Sequence, residues 1–126
     1  MYWSGWRLLP AERVRLLRRI PTVYPDVYAD HITHRYGFAE YELPSLALRA
    51  RIIAIADDNK GVQTLVVTVN DNSIRPDGST YHITWSIDRS LGRAPVDSNL
   101  VVKTHDWQRV SARRIIFLEA FCEPLS

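Results

Sequence analysis

The chain has 126 residues, 46% of them hydrophobic and 24% charged, with a formal charge of +2. That is the length and composition of one soluble globular domain spanning 1–126, with enough chain for a core. The small charge neither demands nucleic acid nor repels a phosphate substrate, the lone Cys122 excludes an internal disulfide, and no apolar run approaches the ~18 residues of a membrane span.

Taken in order, Tyr2 to Leu9 reads as a first strand, aromatic-rich, with Gly5 marking a bulge or a close backbone approach. Trp3, Gly5 and Arg7 share one face, and Tyr2, Ser4, Trp6 and Leu8 the other. One face is core. The other offers an aromatic shelf for a nucleobase, with Tyr2 and Trp3 the candidates, although packing alone accounts for the same aromatics. The stretch from Met1 to Trp6 lacks the charged start and apolar centre of a signal peptide, so the expected address is cytoplasmic. Pro10 to Arg19 is the best helix: Pro10 suits a first helical position, Glu12 the positive end of the dipole, and Val14, Leu16, Leu17 and Ile20 an apolar stripe. Arg13, Arg15, Arg18 and Arg19 fall mostly on the solvent side. Pro21 stops the helix, and 22–27 is a loop.

Phe38 to Ser45 reads as irregular, Leu46 to Ala56 as a long strand, and 57–61 (Asp-Asp-Asn-Lys-Gly) as the turn of a hairpin completed by Val62 to Asn70. Asp71 to Ser79 is a polar loop, and its Arg75-Pro76-Asp77-Gly78 run is strong turn chemistry. Arg75 there is a candidate phosphate contact, an exposed arginine the plainer alternative. Arg89 to Asn99 is loop, with a short helix around Ser98 to Lys103. Ala112 to Phe121 is the final strand.

The most informative feature is an echo. His31-Ile32-Thr33 recurs as His82-Ile83-Thr84, each copy in a strand-like stretch, Tyr28 to Gly37 and Thr80 to Asp88. Strand side chains alternate, so each His and Thr share a face and each Ile turns the other way. An Ile in the core puts an imidazole and a hydroxyl on the open side, and two such strands put two of each around one cleft. That set suits phosphodiester chemistry. A neutral imidazole takes a proton from water, a protonated one gives a proton to the leaving oxygen, and the hydroxyls hold phosphate oxygens.

In this pair of motifs the chain resembles the 2H phosphoesterases, named for two H-x-[T/S] motifs on pseudo-symmetric halves. The entry into the first motif is similar as well: Ile20-Pro21-Thr22-Val23-Tyr24-Pro25, then Asp30-His31 and a closing Tyr36-Gly37. So is Gly92-Arg93-Ala94-Pro95-Val96-Asp97-Ser98-Asn99 after the second motif, whose Gly, Arg and Pro suggest a specificity loop. The resemblance implies an α+β fold, two-lobed, with two antiparallel sheets forming a concave cleft and helices outside. It implies His31, Thr33, His82 and Thr84 as catalytic residues, around which Arg35, Arg75, Tyr2, Trp3 and Ser86 are the candidate substrate-binding residues. It implies a metal-independent cyclic phosphodiesterase with no cofactor, acting on a nucleotide or an RNA end. Cyclic ends of RNA, cyclic phosphates derived from ADP-ribose, and cyclic oligonucleotide signals remain alternatives, as does a binding module without turnover. Which histidine is the base stays open, and so does the oligomeric state.

His34, one step past Thr33, falls on the opposite face and reads as packing or as support behind the site. No Asp, Glu or Cys cluster stands at metal-ligand spacing, and no Walker loop, nucleophile elbow or dinucleotide-binding glycine pattern occurs.

Overall fold

Alternating burial along the strands shows how the sequence folds. The computed structural model describes residues 1–111 and 114–125. Its elements run β1 (Tyr2–Leu8), α1 (Pro10–Arg19), β2 (Asp26–Val27), β3 (His31–Phe38), β4 (Arg51–Asp57), β5 (Val62–Thr68), β6 (His82–Ile87), α2 (Ser98–Thr104), β7 (Gln108–Arg109) and β8 (Leu118–Pro124). The strands form two antiparallel sheets, one in the order β3-β1-β8 and one in the order β2-β6-β5-β4-β7. The fold is therefore α+β.

In β1, Ser4, Trp6 and Leu8 are buried, while Trp3 and Arg7 remain partly open. The inward face joins Ile32 of β3, Leu16 of α1, and Ile52, Leu65, Val67, Ile83 and Trp85 of the larger sheet in one core. The opposite face of the larger sheet carries Ala54, Ala56, Val62 and Val66 under Val101 and Val102 of α2. The two buried indoles keep their N–H groups paired: Trp6 Nε1 donates to the Ser45 carbonyl at 2.9 Å and Trp85 Nε1 to that of Ile20 at 2.8 Å. Gly5 is required where it stands, because a Cβ there would lie 2.0 Å from the Ile32 carbonyl oxygen of β3.

The chain changes sheets between β2 and β3. Tyr28 N and Ala29 N donate to the Trp85 and Thr84 carbonyls of β6, each at 3.0 Å, and Leu8 N of β1 then donates to the Asp30 carbonyl at 2.9 Å. Ala29 takes a left-handed conformation (φ +48°) to make this step and is fully buried. Arg13 fastens the crossing, its Nε donating to the Ala29 carbonyl at 2.9 Å and its guanidinium to that of Tyr28 at 3.2 Å. At the far end of β1, Leu125 N donates to the Met1 carbonyl at 2.9 Å.

Three expectations need correction. The strand expected over 46–56 begins only at Arg51, and Leu46 and Leu48 are exposed in a loop held by the Asn70 side chain. The last strand runs Leu118–Pro124 rather than 112–121, and Ala112 and Arg113 lie outside the described residues. In α1, Val14 faces solvent. The helix instead buries Glu12 with Leu16, Glu12 accepting from Arg15 Nε at 2.5 Å and from Phe117 N at 2.8 Å.

No helix among the described residues is long and apolar enough to cross a membrane.

Candidate functional site

The sheet change places the two motif strands beside each other, β3 at the edge of the small sheet and β6 facing it from the large one. Ile32 and Ile83 are fully buried in the same core, as alternation requires. His31, Thr33 and Thr84 line a cleft of about 1140 Å³ on the opposite side, together with Trp3, Tyr36, Arg75 and Asn99. His82 shares the face of Thr84, since it pairs with Val66 in β5 as Thr84 pairs with Thr64. It does not form part of the cleft wall, however, and is only 9% exposed. Of the two imidazoles expected around the cleft, His31 lines it and His82 lies behind its wall.

The two rings are held differently. His31 Nδ1 lies 3.0 Å from Asp30 Oδ2, and its ring meets the edge of Trp3 with centroids 5.0 Å apart. His82 Nδ1 lies 2.8 Å from the Thr80 carbonyl oxygen. A carbonyl only accepts, so Nδ1 of His82 carries the hydrogen and Nε2 the lone pair. Burial pushes both rings toward the neutral form. For His31 the Asp30 carboxylate opposes the effect of burial. For His82 burial dominates and takes the pKa down to about 4, with the Thr80 carbonyl opposing and the charges of Arg75 and His31 adding to the fall.

The hydroxyls differ as well. Thr84 Oγ1 is 2.9 Å from Oγ of the fully buried Ser98, the first residue of α2, and 3.5 Å from the Pro95 carbonyl. Thr33 Oγ1 makes no side-chain hydrogen bond among the described residues and opens onto the cleft. Arg75 is mostly buried and gripped by both oxygens of Asp77, at 3.0 and 3.2 Å, with Asn99 Oδ1 at 3.4 Å. That pairing holds the Asp77 carboxyl well below the usual carboxylate range.

Of the expected substrate-binding residues, Trp3 and Arg75 line the cleft, while Arg35, Tyr2 and Ser86 do not. Tyr2 falls on the Ser4 face by ordinary alternation. For Arg35 and Ser86 the cause is β-bulges, which add an unpaired residue and invert alternation beyond it. In β3 the register jumps from Gly5↔Thr33 to Ser4↔Arg35, leaving His34 unpaired and turning Arg35 onto the Ser4 face. Arg35 covers the Phe38 ring there, and Tyr2 packs against Phe38 and Tyr41. In β6 the register jumps from Thr64↔Thr84 to Gln63↔Ser86, skipping Trp85. Ser86 is consequently fully buried, donating to Gln63 Oε1 at 2.6 Å and accepting from Tyr24 N at 3.2 Å.

The bulge at His34 brings Tyr36 to the cleft in place of Arg35, and Tyr36 was not singled out from the sequence. Arg13, expected on the solvent side, also reaches the cleft. In the segment after the second motif, Pro95, Val96 and Asn99 line the cleft, whereas Arg93 turns away to the buried Asp58, 2.5 Å from its Oδ2. His34 packs as expected, its Nδ1 2.8 Å from the Tyr81 hydroxyl and its ring against Trp6.

Among the described residues no group of three or more His, Cys, Asp or Glu side chains is arranged to hold a metal ion. No protein-family model, curated protein or solved structure matches this chain.

Proposed function

We propose that the chain is a phosphodiesterase of the 2H phosphoesterase type, with that family's two-lobed fold, hydrolysing the cyclic phosphate of a nucleotide or RNA end in a cytoplasmic setting without a metal. One observation carries the reading: two His-Ile-Thr segments about fifty positions apart lie on adjacent strands of different sheets, with both isoleucines in one core and three of the four polar groups on one cleft. In the reaction, water attacks phosphorus as one imidazole takes its proton. The bond from phosphorus to one ribose oxygen breaks, and the other imidazole, entering protonated, gives its proton to that oxygen. Thr33 and Thr84 hold the non-bridging oxygens. Trp3 and Tyr36 offer faces for a base.

The test is a screen of nucleoside cyclic phosphates, cyclic-phosphate RNA ends and cyclic oligonucleotides with EDTA present. Turnover is expected to persist in EDTA and to be lost in both His31→Ala and His82→Ala, each still folded by circular dichroism. Activity retained in both variants ends the proposal. One neutral and one protonated imidazole give a bell-shaped profile, and with both rings pushed down its kcat/KM optimum is expected below pH 6.5.

A second reading, a module that binds a nucleotide or RNA without cleaving it, draws on the burial of His82. Saturable binding of a cyclic phosphate with no product over the same panel selects it.

A further inference from the structure

We propose that Asp30 is a positioning residue for His31, making His31 the imidazole that enters the reaction protonated and His82 the one that enters neutral. The inference rests on the phosphodiesterase reading and assigns the two roles within it.

The two Nδ1 atoms have different partners. His31 meets a carboxylate oxygen at 3.0 Å, and His82 meets an uncharged backbone carbonyl at 2.8 Å. A carboxylate on Nδ1 fixes the tautomer, aims Nε2 outward and favours the imidazolium, whereas a carbonyl fixes the tautomer with far less preference for charge. Exposure points the same way. His31 stands in the cleft wall, where water can solvate its charged form, and His82 is almost covered, where burial favours the neutral ring.

The placement of Asp30 needs a reason. A half-exposed carboxylate on the wall of a cleft that receives a phosphate repels its substrate. Its backbone is nonetheless pinned there, by the Asp30 carbonyl on Leu8 N and by the left-handed turn at the buried Ala29 just before it. The charges around the pair are balanced. Arg7 of β1 lies 3.9 Å from the same Asp30 oxygen and is held at 2.7 Å by Glu123 of β8. On the other side, Arg75 and Asp77 neutralise each other near His82. Asp30 is thus the carboxylate placed to bias one ring and not the other.

With these roles, His82 Nε2 accepts the proton of the attacking water and the new P–O bond forms. The bond to the leaving ribose oxygen breaks with its electron pair on oxygen, and His31 Nε2 supplies the proton. Solvent then takes the proton from His82 and returns one to His31, so that one water is consumed per turnover.

The experiment pairs kcat/KM profiles for wild type, Asp30→Asn and Asp30→Glu with imidazole NMR titrations of the unliganded proteins. In Asp30→Asn the alkaline limb is expected to move down by about one pH unit, a roughly tenfold loss at pH 7, with His31 titrating lower and His82 unmoved. Asp30→Glu, which keeps the charge, restores most of the limb. A wild type that turns over while Asp30→Asn leaves both the limb and the His31 titration in place overturns this assignment and leaves the phosphodiesterase reading intact. A wild type that turns over none of the panel overturns that reading, and the assignment of roles with it.

Discussion

Between pH 6.5 and about 4 the folded chain keeps His82 neutral while the unfolded chain protonates it. The unfolded state therefore binds more protons in that window, and stability must fall as the pH falls through it. For a ring this deeply buried the shift corresponds to about 3 kcal/mol, lost between pH 6.5 and 4 and level below that. His31 adds to the same slope, since its pKa is also lowered by burial. Urea midpoints measured across the window should drop steadily for wild type. In His82→Gln, whose amide can still donate to the Thr80 carbonyl but cannot titrate, most of the slope should vanish. An unchanged slope would place the pH dependence elsewhere. The same burial that makes His82 a weak base makes the fold lose stability as the pH falls.

At the level of strands and loops, much of the architecture was legible because it is local. Period-two alternation located β1, β5 and β6, and Pro10 with the apolar spacing that follows located α1. Ser98 does begin a short helix, as the segment after the second motif suggested. Gly5 hinted at the first bulge, whose register shift falls between Ser4 and Gly5. Which residues it and the second bulge leave unpaired was not legible, because that is decided by what lies on the neighbouring strand and not by a residue's own chemistry. One bulge removed Arg35 from the cleft and delivered Tyr36, and the other buried Ser86. Alternation also misled at Leu46 and Leu48, whose pattern is that of a strand although nothing covers them. Arg93 shows a similar limit. Its motif suggested a contact with substrate, yet it ties the loop before α2 to the turn between β4 and β5, where Asp58 is 7% exposed and also accepts from Lys60 N and Val62 N. Removing one partner of a buried pair leaves the other charge without compensation. Arg93→Met is expected to destabilise the fold by about 3 kcal/mol in chemical denaturation. Because the loop carries Pro95 and leads to Ser98, both touching Thr84, the variant should raise KM more than it lowers kcat.

For the molecule as a whole, the site is a product of the sheet change. Each motif is a local pattern that the sequence displays, but their meeting depends on the chain leaving β6 at Ala29 and entering the small sheet at Asp30. Nothing in the periodicity of either strand encodes that meeting, which is why the cleft rested on the resemblance until the strands were placed. The contact at the far end of the small sheet has a different consequence. β8 and β1 are antiparallel neighbours, and Leu125 N already reaches the Met1 carbonyl, so the two ends of the fold stand as the two arms of an unclosed hairpin. A connector of about two to five residues would close it. New termini cut into the exposed Asn59–Lys60 turn would then make a circularly permuted chain in which the second motif is synthesised before the first. Such a permutant should keep the native circular dichroism spectrum and unfold cooperatively, and a permutant that fails to fold would mean that strand order along the chain, and not only strand pairing, governs assembly.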